Sequence, residues 1–423
     1  MFALIDANNF YCSCERVFRP DLRHKAVAVL SNNDGCVVAR SEETKAMGVA
    51  MGTPFFQVQH LVKQKRLTVF SSNYELYHNF SDRMVQSIRS LVPEVEVYSI
   101  DESFADMGQL HAISALRPLG LAIKARVWQW VGLPTCVGIA RTKTLAKFCN
   151  FLAKRHKQFF AGVVVWDDWS PAIQERALRS APVTEIWGIG RRIGRKLQAQ
   201  SIQTAWDFVQ AHTPTLRRQF GVMLERTQRE MRGIVCEDLV VTEDPKQSIV
   251  RSRSFAQMVT SLPSLQAALS HHVQDAAAHL RQHHLRAGLV RVFIHSNRFR
   301  EDLAQYHGVG HAALHCASDD TLVLNQLAQQ VLQRIYNDQV QYKKCGVELT
   351  ALETSTQAQQ IDLWQAQNLP DHTALMQVWD ELSQRFGRQA LQLGHALGPN
   401  DWRMQRNFLS PCFTTRWCDI PVI

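Results

Sequence analysis

Carboxylates stand at the ends of two apolar, strand-like segments, and this placement limits what the chain can fold into. The first segment, MFALID at residues 1–6, ends in Asp6. The second, Val95–Ile100, alternates like a half-buried strand and is followed by Asp101 and Glu102 side by side. Acids at such positions gain nothing from packing in a hydrophobic core. We therefore predict that these three acids form a functional site.

The three acids suit a site for a pair of divalent cations. Neighbouring residues on a flat strand point to opposite faces, so Asp101 and Glu102 converge only where the backbone turns or bulges. Clustered carboxylates repel one another unless a cation neutralises them, so such a cluster is typical of a metal site. Two-metal phosphoryl transfer holds its ions about 3.5–4 Å apart. The alternative is that the acids face solvent separately.

The positive charge of the chain is clustered. The sequence has 47 Lys and Arg against 38 Asp and Glu. Residues 141–200 contain 12 basic and 4 acidic residues, and residues 281–300 contain five Arg and no acid. Because released counterions drive the binding of anionic polymers, this pattern favours nucleic acid as a partner. A solvated basic face on an ordinary enzyme is the alternative.

The sequence predicts a cytoplasmic protein with reduced thiols. No apolar run approaches the roughly 18–20 residues that a membrane-spanning helix needs, so we expect no membrane association. The first ten residues carry an acid where a secretion signal would need an apolar stretch behind basic residues. The ten cysteines include no C-x-x-C pair, which argues against a zinc ribbon or a disulfide framework.

The first half of the chain predicts a mixed sheet covered by helices. Strands are expected at 1–6, 94–106 and 161–166, and helices at 74–92 and 114–131. The insert at 18–73 is rich in turns and has no long amphipathic helix, so it should form a small lobe. Residues 171–232 predict short helices joined by Gly and Pro.

The second half predicts a compact α+β domain after a polar linker. Strands are expected near 248–258, 288–296, 304–316 and 345–353, and helices near 263–285 and from an N-cap at Ser318. Three histidines of the first of these helices are interpreted as a solvated face rather than a metal site: His272, His279 and His283.

Five motifs, in this order, resemble the Y-family translesion DNA polymerases. They are LIDANNFYCSCE, LSNNDGCVVARS, SSNYELY, YSIDESF and VGIARTKTLAKFCN, with GIG behind them. The likeness covers nearly the whole chain and is strongest to the UmuC group, the catalytic subunits of bacterial DNA polymerase V. It implies a multidomain α+β, right-hand polymerase fold. The expected parts are a mixed-sheet palm at 1–17 and 74–165, fingers at 18–73, a helical thumb at 166–232, a linker at 233–247, an α/β little finger at 248–349 and a partner-binding tail at 350–423.

The resemblance also implies roles for individual residues of the catalytic site. Asp6, Asp101 and Glu102 match the acids that hold two Mg²⁺ ions, with the backbone carbonyl of Ala7 as a further ligand. Tyr11 matches the steric gate that excludes a 2′-hydroxyl from the sugar of a bound dNTP.

The triphosphate of the dNTP has its own implied contacts. Lys154 matches the family's triphosphate-binding lysine, and Phe10 is grouped with the nucleotide site. Lys45 stands where an arginine is usual, and a lysine lacks the bidentate fork of a guanidinium. The usual tyrosine is replaced by Glu42, so the way in which the fingers hold the triphosphate departs from the family pattern.

Binding of primer–template DNA is predicted in two places. In the thumb segment, Gly188 and Gly190 precede Arg191 and Arg192, as in helix-hairpin-helix elements that bind phosphate through backbone N–H groups. In the little finger, arginines are expected on the exposed sheet face, against the duplex backbone: Arg251, Arg253 and Arg291. The alternative for the thumb segment is a plain helix N-terminus with a basic outer face, and the alternative for the little finger is a merely solvated sheet face.

The last part of the chain predicts protein partners. Gln360, Ile361, Leu363 and Trp364 resemble the peptide by which bacterial polymerases bind the sliding clamp. The terminal residues resemble the UmuC tail, which implies a UmuD′-type dimer as partner and activation by RecA.

The function that the resemblance implies is template-directed, low-fidelity DNA synthesis past lesions in SOS-type damage tolerance. The small finger insert cannot strongly penalise a misshapen base pair, and no segment is left for a proofreading nuclease. Two alternatives stay open: a catalytically silent DNA-binding subunit, or another two-metal enzyme on a palm-like sheet, such as a nucleotidyl cyclase or nuclease.

Overall fold

The computed structural model of the 423-residue chain describes residues 1–108, 115–240, 245–355, 372–387, 390–399 and 402–421. The chain forms two compact units. The first consists of Met1–Ser31, Gly35–Glu243 and Phe408–Ile423, and the second of Asn32–Asp34 and Asp244–Asn407. None of the helices in the described residues could span a membrane.

A five-stranded mixed sheet lies at the centre of the first unit. Its strands are β1 (Phe2–Ala7), β5 (Val95–Val97), β6 (Glu102–Asp106), β7 (Thr135–Ala140) and β8 (Val163–Val165). Their order is β5-β6-β1-β7-β8, with β1 antiparallel to both of its neighbours and β7 parallel to β8. Every residue of β1 is buried, as its apolar sequence predicts.

Helices cover both faces of this sheet. They are α1 (Phe10–Val17), α4 (Tyr74–Arg89), α5 (Leu116–Val131), α6 (Lys143–Arg155) and α7 (Lys157–Phe160). Ala3 and Ile5 of β1 belong to the core formed with α4 and α5, whereas Phe2 and Leu4 belong to the core formed with α6. This alternation follows from the two-residue period of a strand and makes β1 the middle of a three-layer structure.

The prediction of one strand at 94–106 is wrong, because the chain makes a hairpin there. β5 and β6 pair in antiparallel register, and residues 98–101 form the turn between them. The backbone N–H groups of Tyr98 and Ser99 both donate to the carbonyl of Glu102, at 3.2 and 3.0 Å. The Ser99 hydroxyl accepts from the N–H groups of Asp101 and Glu102, which closes the turn.

A smaller sheet and a set of short helices complete the first unit. The sheet has the order β3-β2-β4, with β2 (Val27–Leu30), β3 (Val37–Arg40) and β4 (Thr68–Ser71), and it carries α2 (Glu42–Ala46) and α3 (Phe55–Lys63). The longer of these two helices has nine residues. The later helices are α8 (Pro171–Ser180), α9 (Arg191–Gln198), α10 (Ala205–Gln210), α11 (Thr213–Phe220) and α12 (Val222–Met231).

The second unit is a four-stranded antiparallel sheet with helices against one face. Its strands are β9 (Ile249–Val259), β10 (Leu285–Ser296), β11 (His307–Ser318) and β12 (Tyr342–Thr354), in the order β11-β10-β12-β9. Its helices are α13 (Leu262–Gln282), α14 (Thr321–Ile335) and α15 (Thr373–Phe386). The two units together give the multidomain α+β architecture that the sequence predicts.

Two sequence predictions for the second unit need correction. Ser318 ends β11 and does not cap a helix, because α14 begins at Thr321 with Asp320 as its N-cap. The Asp320 carboxylate accepts from the backbone N–H of Leu322 at 2.7 Å, as a capping acid does. His272 is buried rather than solvated, since its position on α13 faces the core; burial lowers its pKa to about 3.

Candidate active site

Asp6 and Glu102 meet across two neighbouring strands. Asp6 is the penultimate residue of β1, Glu102 is the first residue of β6, and the antiparallel register places them directly opposite each other. Residues in such a pair have Cβ atoms about 4.5–5.5 Å apart and share one face of the sheet. Asp6 is only 4% exposed. The fold therefore brings together two acids that are far apart in the sequence.

Asp101 joins this pair through the hairpin turn. Its backbone carbonyl accepts from the N–H of Ala7 at 2.9 Å, which holds the turn against the end of β1. Its carboxylate accepts from the Ser99 hydroxyl at 2.7 Å. In these side-chain conformations, no three His, Cys, Asp or Glu side chains of the described residues are grouped closely enough to hold a metal ion. The backbone thus gathers all three acids, while the Asp101 carboxylate points to Ser99.

Lysine side chains occupy the acidic cluster. The ammonium of Lys154 contacts Asp6, and that of Lys147 contacts Glu102 at 2.7 Å. Both lysines lie on α6, and their spacing of seven residues puts them on one face of the helix. Sequence reasoning singled out Lys154 but missed Lys147. The seven-residue spacing from Lys154 could have indicated that Lys147 lies on the same helix face.

Burial and the opposing acid set the protonation of the pair. Burial raises the pKa of Asp6 to about 7, and the neighbouring Glu102 adds to the shift against the opposing charge of Lys154. Burial alone would raise the pKa of Glu102 too, but the hydrogen bond from Asp6 and the Lys147 ammonium outweigh it and lower that pKa. The site thus favours a protonated Asp6 and an ionised Glu102 beside two lysine ammonium groups. Such a donor set fits a divalent cation, which would replace the proton and the ammonium groups.

The two aromatic residues that follow β1, Phe10 and Tyr11, differ in the exposure of their side chains. The Tyr11 ring is half-buried and stacks on the Tyr77 ring, with centroids 4.3 Å apart and planes 15° apart. Phe10 is only 3% exposed and packs in the core around α1 and α4. Of the two predicted nucleotide contacts, Tyr11 has a partly exposed side chain, whereas the side chain of Phe10 is buried in the core.

Lys45 forms an ion pair with Glu42, the acid that stands where the family usually has a tyrosine. Its ammonium lies 3.1 Å from Glu42, and Glu42 also accepts from Asn9 at 3.0 Å. A second lysine, Lys157, lies 3.7 Å from the same carboxylate. The hydrogen bond from Asn9 and the ion pairs lower the pKa of Glu42 against the effect of its burial. Glu42 therefore joins the small sheet lobe to the end of β1.

The start of α9 has the features of a phosphate site. Gly190 is its N-cap, and a Cβ added there would meet nothing within 4 Å. Gly188 has a positive φ of 85°, which glycine adopts without strain. No acid lies in the first turn, and Arg191 and Arg192 are exposed there. The N–H groups at this helix start can therefore donate hydrogen bonds to an anion.

The arginines of the second unit lie on opposite faces of its sheet. Arg251 pairs with Val347 and Arg253 with Cys345, both fully buried against the helices, so these arginines share the covered face. The expectation that both lie on the open face is wrong. Alternate residues of a strand point to the same face, so Arg251 and Arg253 share a face with Ile249 and Phe255. Because Ile249 and Phe255 are apolar core residues, the sequence could have indicated the covered face. Burial also lowers the pKa of Arg253.

Arg291 does lie on the open face of that sheet. It sits opposite Glu348, which it contacts at 3.0 Å, and opposite His311 on β11. The same parity puts Lys344 and His295 on this face. The predicted clamp-binding residues Gln360, Ile361, Leu363 and Trp364 lie outside the described residues.

Comparisons with known proteins agree with one another. Residues 5–150 match the impB/mucB/samB family, residues 246–363 match its C-terminal domain, and residues 373–423 match a domain of unknown function. The chain is 39% identical to protein ImpB of Salmonella typhimurium, over 100% of this chain and 99% of the relative. It is 40% identical to protein MucB of Escherichia coli over 100% and 99%. Protein UmuC of Salmonella typhimurium is 39% identical over 99% of both chains.

Solved structures show the same fold. A Y-family DNA polymerase chimera of Dbh and Dpo4 superposes with a TM-score of 0.64 at 20% identity, over 84% of this chain and 100% of that one. An insertion ternary complex of Dbh DNA polymerase gives 0.54 at 19% identity, over 83% and 98%.

Proposed function

We infer the function of this chain from the family to which it belongs, the impB/mucB/samB family of Y-family DNA polymerases. The chain is a UmuC-like translesion DNA polymerase, an enzyme that extends a primer along a template. The observation that carries its chemistry is the cross-strand pair of Asp6 and Glu102, with Asp101 held beside it by the hairpin turn.

We propose that Asp6, Asp101, Glu102 and the carbonyl of Ala7 hold two Mg²⁺ ions. Ions bound there would supply activation of the primer 3′-hydroxyl and neutralisation of the leaving pyrophosphate. To hold the ions, the Asp101 carboxylate would have to turn from Ser99 toward the acid pair, and Asp6 would release its proton to solvent. Lys154 leaves Asp6 and binds the triphosphate as a point charge, and Lys45 contributes a second charge from the fingers. Lys147 keeps Glu102 ionised.

The incoming sugar is selected by Tyr11. Its ring is fixed between Tyr77 below and Tyr74 at its edge, with centroids 4.3 and 6.3 Å away. A rigid ring under the deoxyribose leaves no room for a 2′-hydroxyl, and rigidity gives such steric selection its strength. The base pair itself is checked weakly, because the lobe with β2, β3 and β4 has no long helix to close over it.

DNA is bound by contacts that do not read sequence. The N–H groups after Gly188 and Gly190, with Arg191 and Arg192, hold a phosphate of the duplex. The open sheet face with Arg291 lies along the backbone. Arg251 and Arg253 reach DNA only from the edge strand β9. These contacts tolerate a damaged template because none depends on base identity.

We propose four further features of the working enzyme. The sliding clamp binds Gln360, Ile361, Leu363 and Trp364. A UmuD′-type dimer binds the tail at 350–423, RecA activates the complex, and the enzyme acts in the cytoplasm. The relatives' names support the UmuD′ proposal, and the sequence motif supports the clamp.

Replacement of Asp101 tests the catalytic proposal. Asp101→Asn removes one negative charge from the metal site and should reduce primer extension by more than about 100-fold, while DNA affinity stays unchanged. Asp82→Asn, at an exposed position of α4, is the matched control and should extend primers normally. Extension by Asp101→Asn at the wild-type rate would refute the assignment and favour a DNA-binding role alone.

A further inference from the structure

The terminal segment, residues 408–413, is built into the first unit. The N–H of Ser71, at the end of β4, donates to the carbonyl of Phe408 at 2.9 Å, and the N–H of Phe408 donates to the Ser71 hydroxyl at 3.0 Å. Phe408 contacts Phe55 edge to face, with ring centroids 5.3 Å apart. Phe413 stacks on Phe18 at 4.4 Å. Backbone pairing and two aromatic contacts therefore fix both ends of the segment.

Between these anchors, one hydroxyl joins two helices of the catalytic sheet. Ser410 is 4% exposed and accepts from the side-chain amide of Asn73 at 2.9 Å. It donates to the carboxylate of Glu15 on α1 at 3.1 Å. Asn73 is the N-cap of α4 and accepts from the N–H of Leu76. Ser410 thus ties the start of α4 to the last turn of α1.

The Glu15 oxygen that accepts from Ser410 also accepts from Tyr77. Its carboxylate is fully buried, and its Oε1 accepts from the Tyr77 hydroxyl at 2.7 Å as well as from Ser410. Its other oxygen, Oε2, has no hydrogen-bond partner. A buried carboxyl is costly without donors, so each of its two donors restricts its position. Among the described residues, loss of the Ser410 hydroxyl would leave Tyr77 as the single hydrogen-bond donor to the Glu15 side chain.

Tyr77 in turn supports the ring that selects the sugar. Tyr11 stacks on Tyr77 nearly in parallel, and Tyr74 meets both rings edge to face at 6.3 Å. Tyr11 and Glu15 are four residues apart on α1, so they lie on one face of that helix. A continuous set of contacts therefore runs from the terminal segment through Glu15 and Tyr77 to Tyr11.

We propose that the terminal segment is a positioning element for Tyr11, and that Ser410, acting through Glu15 and Tyr77, sets how strongly the enzyme discriminates dNTPs from rNTPs. This inference rests on the proposed function, in which Tyr11 excludes the 2′-hydroxyl. The segment is more than 300 residues away in the sequence from the ring that it controls. It gives the end of the chain a role inside the catalytic unit.

The test is sugar discrimination by Ser410→Ala in primer extension with the full chain and its activating partners. The ratio of kcat/KM for dNTP over rNTP should fall about three- to tenfold, the effect of one hydrogen bond, with little change in the rate with dNTP. Ser410→Thr keeps the hydroxyl and should restore the ratio. Ser180→Ala, which removes an exposed hydroxyl at the end of α8, is the matched control and should leave the ratio unchanged.

A double-mutant cycle separates positioning from general damage. In a Tyr11→Ala background, which already admits ribonucleotides, Ser410→Ala should have no further effect on the ratio. If Ser410→Ala does not fold, Ser410→Cys, with its weaker donor, should show a smaller fall that also disappears in the Tyr11→Ala background. The inference would be overturned if a folded Ser410 variant kept the wild-type ratio of dNTP to rNTP use, or if the ratio fell equally in the wild-type and Tyr11→Ala backgrounds. Either result would leave the proposed function intact. Failure of the wild-type chain to extend a primer would overturn the proposed function as well.

Discussion

Replacement of Glu15 by glutamine should change how the stability of the first unit depends on pH. Burial raises the pKa of Glu15 from its ordinary 4.5 to about 7, and the hydrogen bonds from Tyr77 and Ser410 and the charge of Arg19 only partly oppose the shift. The folded state therefore binds this proton more tightly than the unfolded state. The stabilisation from Glu15 is complete below its unfolded pKa and is lost as the pH rises through about 7.

The two pKa values fix the size of the effect. Between pH 5 and pH 8 the folded state releases the Glu15 proton that the unfolded state has already lost, so the wild-type protein should lose roughly 2–3 kcal/mol of stability that Glu15→Gln does not lose. Glutamine keeps an acceptor for Tyr77 and Ser410 and has no charge to bury. The variant should thus be relatively more stable at pH 8.

Hydrogen exchange can measure this difference locally. The slowest amides of α4 report unfolding of the first unit, and comparison of two variants at one pH cancels the intrinsic exchange rate. Protection in wild type relative to Glu15→Gln should fall by about 70-fold from pH 5 to pH 8. Glu75→Gln, exposed on α4, is the control and should show no pH-dependent difference. A ratio constant within about threefold would refute the argument that Glu15 is buried as a neutral acid.

Two further predictions follow from glycine packing and from charge. Gly138→Ala would place a Cβ 2.2 Å from the carbonyl oxygen of Ala146 and from the backbone nitrogen of Asn150, where β7 meets α6. This overlap should lower the free energy of unfolding by about 3 kcal/mol. The thermal midpoint should therefore be lower than that of the control Gly394→Ala, because an added Cβ at Gly394 would meet nothing within 4 Å. Arg192→Ala should weaken DNA binding for all sequences and reduce the salt slope by about 1, measured by fluorescence anisotropy across salt concentrations. A wild-type melting point for the first, or an unchanged slope for the second, would contradict these assignments.

Sequence reasoning succeeded where one local pattern decides the outcome. The apolar run of β1, the short helices after residue 171 and the strands of the second unit follow from periodicity and turn residues. The fold class followed from these elements and from the resemblance. The acids were recognisable because a carboxylate at the end of an apolar strand has no packing role.

Sequence reasoning failed where a distant partner decides the outcome. The residues at 94–106 form a hairpin because the Ser99 side chain closes a turn, although alternation favoured one strand. Arg251 and Arg253 were assigned to the open face because they are polar, but the register with β12 places them on the covered one. His272 is buried for the same reason: its helix position faces a core that the local sequence does not display.

The sequence by itself determined which chemical groups the site contains, since the identity of the acids, of Tyr11 and of the lysines on α6 is written in the chain. Only the tertiary structure decided their state and their neighbours. Strand register paired Asp6 with Glu102, and burial raised the pKa of Asp6. The docking of Ser410 on Glu15 joined the end of the chain to its beginning. Register and burial arise from contacts between residues that are far apart along the chain, so no local pattern can encode them.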